Sequence, residues 1–206
     1  MIELIIKGEL KCDDIITESQ MIERFSVSKS PVREALIQLC YEDVLRSIPR
    51  CGYQIVQISP KNIHDLAELR CILELSSLQK LSEMLTPETI DYLRQMIYKA
   101  ESRAEATEQE KWTAWTENGK FHLALTERAG NAQVTAALKR ALSTCTRAYA
   151  QVYEESRSAV IFGDKENNHQ RIVKALENHE FYAAHEYLKS DIMIMEQELL
   201  HGEFRD

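Results

Sequence analysis

No apolar run in the sequence approaches the roughly 18 to 20 residues of a membrane-spanning helix, which excludes a membrane-embedded class. The opening stretch, MIELIIKGEL, has neither a basic start nor a small-residue cleavage site, so the expected compartment is the cytoplasm. The five cysteines, Cys12, Cys40, Cys51, Cys71 and Cys145, are odd in number and form no CxxC pair. Neither a disulfide framework nor a thiolate zinc site follows from them, and reduced thiols are expected. A P-loop, an HExxH helix and a nucleophile elbow are all missing, so nothing in the sequence supports an enzyme. Net positive charge is missing too. A balance of -8 argues against a general nucleic-acid coat, although a DNA reader needs only a local basic face. With 44% apolar and 28% charged residues, and no internal repeat, the 206 residues suit one large or two small globular domains.

What the chain does hold is the stretch from 17 to 39, TESQMIERFSVSKSPVREALIQL, where two short amphipathic helices meet at an abrupt turn. Met21, Ile22 and Phe25 recur at i, i+1 and i+4, and Val32, Leu36 and Leu39 at i, i+4 and i+7, so both stripes can face one core. Ser26 and Val27 leave little room between the helices. Ser28 or Ser30 can cap the second helix, and Pro31 falls in its first turn, where a missing N–H costs little. The leading end of that helix presents Lys29, Ser30 and Arg33, the chemistry a recognition helix turns toward phosphates and base edges. A plain surface helix with ordinary charges fits the same spacing, and on these residues alone both readings stand.

Gly8, Leu10, Thr17-Glu18 and the run Ser26 to Leu36, SVSKSPVREAL, resemble the DNA-binding signature of the GntR family of bacterial transcription regulators. The segment SxxPVREAL is long, ungapped and placed near the N-terminus, and the downstream sequence resembles the all-helical, FCD-type effector domain of the family's FadR branch. The resemblance implies a double-stranded, palindromic DNA operator, a homodimer, and Arg24, Ser28, Lys29, Ser30, Arg33, Arg50 and Gly52 at the DNA face. Three departures accompany it. Residues 1 to 7 leave room for barely two helical turns where the family has a longer first helix. Cys12-Asp13 stands where Pro-Gly is common, and Cys51 stands where an Arg precedes the hairpin glycine.

From 24 to 50 the cations Arg24, Lys29, Arg33, Arg46 and Arg50 outnumber the anions Glu34, Glu42 and Asp43 by five to three, a modest excess that favours binding as a dimer. The segments Leu45 to Ile48 and Tyr53 to Ile58, joined by Pro49-Arg50-Cys51-Gly52, read as a hairpin wing. Its tip suits a minor groove; alternatively the hairpin only closes the core. Ser59-Pro60 punctuates the chain, dividing a winged helix-turn-helix domain, 1–60, from an all-helical effector-binding and dimerisation domain, 61–206. Helix patterns run to about Met84, from Thr86-Pro87-Glu88, from Trp112 to Arg128, on to about Ser156, and over about 164–178 and 181–200. Residues 101–111 and the surroundings of Gly163 are expected to break them. A mostly α fold follows, with an antiparallel bundle of about six helices.

Asn118 and His122, at i, i+4, project from one helix face. With His169 and Asp191, 22 residues apart, they resemble the effector domain's metal ligands, except that Asp191 replaces an imidazole and Asn118 occupies the first carboxylate position. The resemblance implies one divalent ion, with zinc, nickel or manganese compatible with two imidazoles and oxygen ligands. Without it, His122 and His169 read as satisfied core histidines, or as part of a polar cavity that binds an effector directly. Arg70 and Arg147 are candidates for an acidic effector, a small organic acid. An intrahelical Arg70–Glu74 pair is the competing assignment for the former. The expected function is a ligand-responsive transcription regulator, which the resemblance implies to be a repressor. The alternatives are a metal-dependent enzyme and a sensor that has lost DNA binding.

Overall fold

The computed structural model describes residues 4, 9–12, 14–101, 108–156 and 168–203. The expected short turns over 1–7, the second half of the Cys12-Asp13 turn and the break near Gly163 lie outside the described residues, as does most of the 101–111 stretch.

The N-terminal unit runs β1 (Ile15–Ile16), α1 (Glu18–Phe25), α2 (Lys29–Tyr41), β2 (Leu45–Ile48) and β3 (Gly52–Ile55). Thr17 starts α1 with a capping box: Gln20 N donates to Thr17 Oγ1 at 3.3 Å, and Thr17 N donates to Gln20 Oε1 at 2.8 Å. Ser26, in the left-handed region at φ 53°, turns the chain sharply into α2. The serine cap expected on α2 is not made. Ser28 occupies the N-cap position but its side chain bonds no backbone N–H, and the Ser30 hydroxyl donates instead to Glu34 Oε1 at 3.0 Å. Met21, Val32 and Leu36 join Ile16, Val44, Leu45 and Ile55 in a compact core. Phe25 departs from its expected place: as the last residue of α1, beside the Ser26 turn, it is 50% exposed and leaves Met21 and Ile22 to cover the core.

The strands form an antiparallel sheet in the order β1-β3-β2, with Ile16 opposite Tyr53 and Leu45 opposite Ile55. The second hairpin strand ends at Ile55, short of the expected Ile58, because the next backbone groups are taken elsewhere. Val56 N donates to Val44 O at 3.0 Å, while the Gln151 amide accepts from Ile58 N at 2.9 Å and donates to Val56 O at 3.0 Å.

The second unit is six helices: α3 (Pro60–Glu83), α4 (Pro87–Glu101), α5 (Glu108–Arg128), α6 (Ala132–Ser156), α7 (Asn168–Glu177) and α8 (Phe181–Glu203). Ser59 and Asn62 form a capping box at the head of α3, with Pro60 in its first turn. Helix α3 lies at the centre, against α5, α6 and α8, while α7 is held between α4 and α8. Leu93, Leu125, Ile172, Leu176, Leu188 and Ile192 meet in the principal core. None of the helices among the described residues is long and apolar enough to cross a membrane.

The two units meet along α6. Ala150 contributes to the N-terminal core, and Tyr149 stacks on Trp115 with ring centroids 4.2 Å apart. Arg147 Nη1 donates to Asp43 O at 2.9 Å in the turn between α2 and β2.

Gly52 opens β3 at φ 136°, where a Cβ would fall 2.4 Å from the carbonyl oxygen of Ile16 on the neighbouring strand. Gly52→Ala is therefore expected to destabilise the N-terminal unit by about 1 to 3 kcal/mol. An unchanged midpoint in urea unfolding followed by circular dichroism would contradict this.

Candidate nucleic-acid interface and metal centre

Helix α2 packs Val32 and Leu36 inward, which turns Lys29 and Arg33 out at its leading end. Their side chains are 71% and 64% exposed, and the nearest anion is Glu18 at the start of α1, 3.9 Å from Lys29 Nζ and 3.8 Å from Arg33 Nε. Arg50 sits at the hairpin tip in the left-handed region at φ 65°, next to exposed Cys51 and to Gly52. Ser28 and Ser30 are exposed on the same edge of α2. Arg24 differs, because it forms an ion pair with Glu9 beside the first strand. Lys29, Arg33 and Arg50 are thus exposed cations at the end of α2 and the hairpin tip, while Arg46 is occupied by Gln54 Oε1 at 2.6 Å.

Inside the bundle the structure brings together His122 from α5, His169 from α7 and Asp191 from α8, with one donor atom from each lying within 4.8 Å of the others. His122 Nε2 and Asp191 Oδ2 are 3.0 Å apart, and His169 Nε2 and Asp191 Oδ2 are 3.5 Å apart. Two ligands each about 2.1 Å from one ion, at tetrahedral or octahedral angles, stand roughly 3.0 to 3.4 Å apart. The donor set therefore fits a divalent cation. Phe121 stacks on the His169 ring at 3.9 Å between centroids and fixes its plane.

Behind His122 stands Glu74, a residue that sequence reasoning placed only as the possible partner of Arg70. Its Oε2 accepts from His122 Nδ1 at 2.5 Å, and its Oε1 accepts from Arg70 Nε at 2.7 Å. A carboxylate on Nδ1 turns Nε2 toward the cluster, as at histidines that ligate metals. The sequence signal was the Arg70–Glu74 spacing on one face of α3; that this face meets α5 is a tertiary fact.

Burial dominates the electrostatics and is opposed by ion pairing. It pulls the His122 imidazole down, but Glu74 and the bonds to Asp191 and Glu74 leave it above its ordinary value. Burial raises the Glu74 carboxyl, yet Arg70 and His122 hold it below the usual range. Asp191 is likewise opposed by burial and held well below by His169 and His122. For His169 burial prevails over Asp191, and its imidazole is lowered, the neutral form that metal ligation needs.

Asn118, the remaining expected ligand, borders a pocket shared with Arg70, Trp115 and Cys145. Arg147, the other candidate for an acidic effector, donates its guanidinium to the Asp43 carbonyl across the domain junction, because its side of α6 packs on the N-terminal unit. Gln151, which holds the same junction, carried no signal in the sequence.

The FCD domain family matches residues 65–192, and the family described as "Bacterial regulatory proteins, gntR family" matches residues 1–55. An uncharacterized HTH-type transcriptional regulator of an unstable DNA locus in Streptomyces ambofaciens is 26% identical over 160 residues, 78% of this chain and 66% of that protein. The gluconate operon transcriptional repressor of Bacillus subtilis is 34% identical over 77 residues, 37% of this chain and 31% of that protein. The matches thus span two thirds or less of the curated relatives' length. Among solved structures, a GntR regulator from Rhodococcus sp. RHA1 superposes with TM-score 0.73 at 21% identity, covering 99% of this chain and 95% of that one. E. coli McbR/YncC superposes with TM-score 0.71 at 20% identity, covering 95% and 93%. At these identities the likeness shows the fold.

Arg70 and Glu74 are almost wholly buried, so each ion depends on the other for solvation. Glu74→Ala leaves the guanidinium without its counterion and is expected to cost about 3 to 5 kcal/mol. Glu74→Gln, which retains an acceptor, is expected to cost less. Equal losses in equilibrium unfolding would show that the charge on Glu74 has no part in the effect.

Proposed function

The chain belongs to the FCD-domain regulators with an N-terminal unit of the bacterial gntR family, and from that membership we propose that it is a cytoplasmic, homodimeric, ligand-responsive DNA-binding repressor. The observation that carries the reading is the exposed cationic edge of Lys29 and Arg33 on a helix whose other face is fixed in the core. In a helix-turn-helix, that edge enters a major groove while the wing, here with Arg50 at its tip, meets the adjacent backbone. The cationic excess is small, so two copies reading the halves of a palindrome supply what one lacks. The repressor sign follows the relatives named as repressors.

The effector in this reading is a small organic acid that enters the bundle near His122, His169 and Asp191. These three would hold the divalent ion, zinc, nickel or manganese. When bound, the ion supplies a positive centre for a carboxylate. Glu74 keeps His122 oriented, and Phe121 keeps His169 in plane. Release or retention of DNA requires that the acid bind two arrangements of the units with different affinity. Helix α6 is the element suited to report it, since Arg147 and Gln151 attach it to the backbone of the N-terminal unit. The relatives are regulators and not enzymes, which sets aside the metal-dependent enzyme.

Arg33→Ala should weaken binding to a palindromic operator by about 1 to 3 kcal/mol if the guanidinium reads a base, and reduce the salt slope by about 1 if it meets phosphate. Sedimentation of the wild-type complex should show two chains per duplex. A folded Arg33→Ala protein with unaltered affinity and salt slope removes the residue from the interface.

For the metal, protein incubated separately with each of the three ions and then desalted should retain about one ion per chain in elemental analysis. His122→Ala and Asp191→Ala should retain far less. Wild-type protein that holds none of the three ions would leave the cluster as a direct polar site for the acid.

A further inference from the structure

Helix α2 carries two rows of exposed side chains at i, i+4 spacing, set about 100° apart around its axis. Ser30, Glu34 and Gln38 make one row, which ends on Glu42 at the C-cap, and Lys29, Arg33 and Ile37 make the other. The first row is spent on itself. The Ser30 hydroxyl donates to Glu34 Oε1 at 3.0 Å, and Gln38 Nε2 donates to Glu42 Oε1 at 2.8 Å. Its two carboxylates also repel phosphate, so this is the row turned away from a DNA backbone.

The second row holds no carboxylate. Lys29 and Arg33 face Glu18 across 3.9 and 3.8 Å. Ile37, one turn further on, is 41% exposed and joins none of the core clusters formed by the described residues. A lone exposed isoleucine is ordinary on a protein surface, so it is the place of Ile37 in the row that matters. A helix that sets Lys29 and Arg33 into a major groove sets Ile37 there too. Four residues advance about 6 Å along the axis, under two base-pair steps of about 3.4 Å, in a groove about 12 Å wide. Homeodomain recognition helices likewise reach base edges from two successive turns. Lys29 and Arg33 carry the chemistry for guanine or phosphate, whereas the apolar group on the floor of a major groove is the C5-methyl of thymine.

We propose that Ile37 is a specificity-determining residue that reads thymine, its branched side chain packing against the C5-methyl group of one T·A pair in each operator half-site. This rests on the reading of the N-terminal unit as a DNA reader, and it adds a base recognised by apolar contact to those that Lys29 and Arg33 can reach through hydrogen bonds. It also gives the small cationic excess of the unit a complement, because a methyl contact discriminates between sequences without neutralising a phosphate.

The test starts with the full chain selecting duplexes from a pool with a randomised centre. The enriched duplex is then remade with deoxyuridine in place of thymidine, one symmetric pair of positions at a time. Deoxyuridine pairs as thymidine does and lacks the C5-methyl alone. At one position the exchange should weaken wild-type binding about fourfold per half-site, the worth of one buried methyl group. Ile37→Ala should bind the two duplexes alike, whereas Ile37→Val, which keeps a branched pair of methyls, should still prefer thymidine. Because Ile37 lies outside the cores, both variants are expected to keep the wild-type unfolding midpoint and sedimentation. Wild-type protein indifferent to every exchange overturns the proposal. So does an Ile37→Ala protein that keeps the discrimination, that loses every duplex equally, or that sediments differently, as it would if Ile37 met another protein chain. A pool that yields no enriched sequence would instead sink the DNA-binding reading itself, while an enriched sequence without methyl dependence removes Ile37 alone.

Discussion

The interior of the bundle depends on one chain of charged and polar groups, Arg70 to Glu74 to His122 to Asp191 to His169, contributed by four helices. Taking a guanidinium and a carboxylate out of water costs several kcal/mol per ion, and only close, multiply bonded geometry recovers it. Hence α3, α5, α7 and α8 cannot slide past one another independently. Each would strand a charge or a buried polar group. The same constraint gives the cluster its shape, because an imidazole fixed through Nδ1 has its other nitrogen aimed for it.

Charge pairing also sets the field at the cluster. His122 lies between two carboxylates, and its raised affinity for a proton shows a local field that favours positive charge.

The parts of the fold set by local chemistry were legible in the sequence: the tight turn at Ser26, the Ser59-Pro60 start of α3, the Thr86-Pro87 start of α4, and the spacing that puts Met21, Val32 and Leu36 on one core. What the sequence hid was set by which faces meet. Phe25 obeys the helical period of its neighbours, but the turn that follows it carries it into solvent. Arg147 lies on a bundle helix and gives no local sign that its side of α6 packs on another domain. Glu74 was visible as a partner for Arg70 and invisible as the orienting group of His122, 48 residues away. Gln151 mimics a neighbouring strand for Val56 and Ile58, which no spacing within either segment encodes.

That glutamine bears on how the two units communicate. A side-chain amide that both accepts from Ile58 N and donates to Val56 O fixes distance and rotation together, while Arg147 fixes a second point at Asp43 on the other side of the small sheet. With Ala150 in the N-terminal core between them, α6 meets the DNA-facing unit as a rigid attachment and not as a tether. A shift of α6 would therefore rotate the unit that carries Lys29 and Arg33. Glu18 lies on that same unit and moves with them, and its two exposed pairs, at 3.8 and 3.9 Å, are of the kind worth about 0 to 1 kcal/mol. They are too weak to fix the direction of the two cations, so the orientation of that edge is set by the unit as a whole, through its attachment to α6.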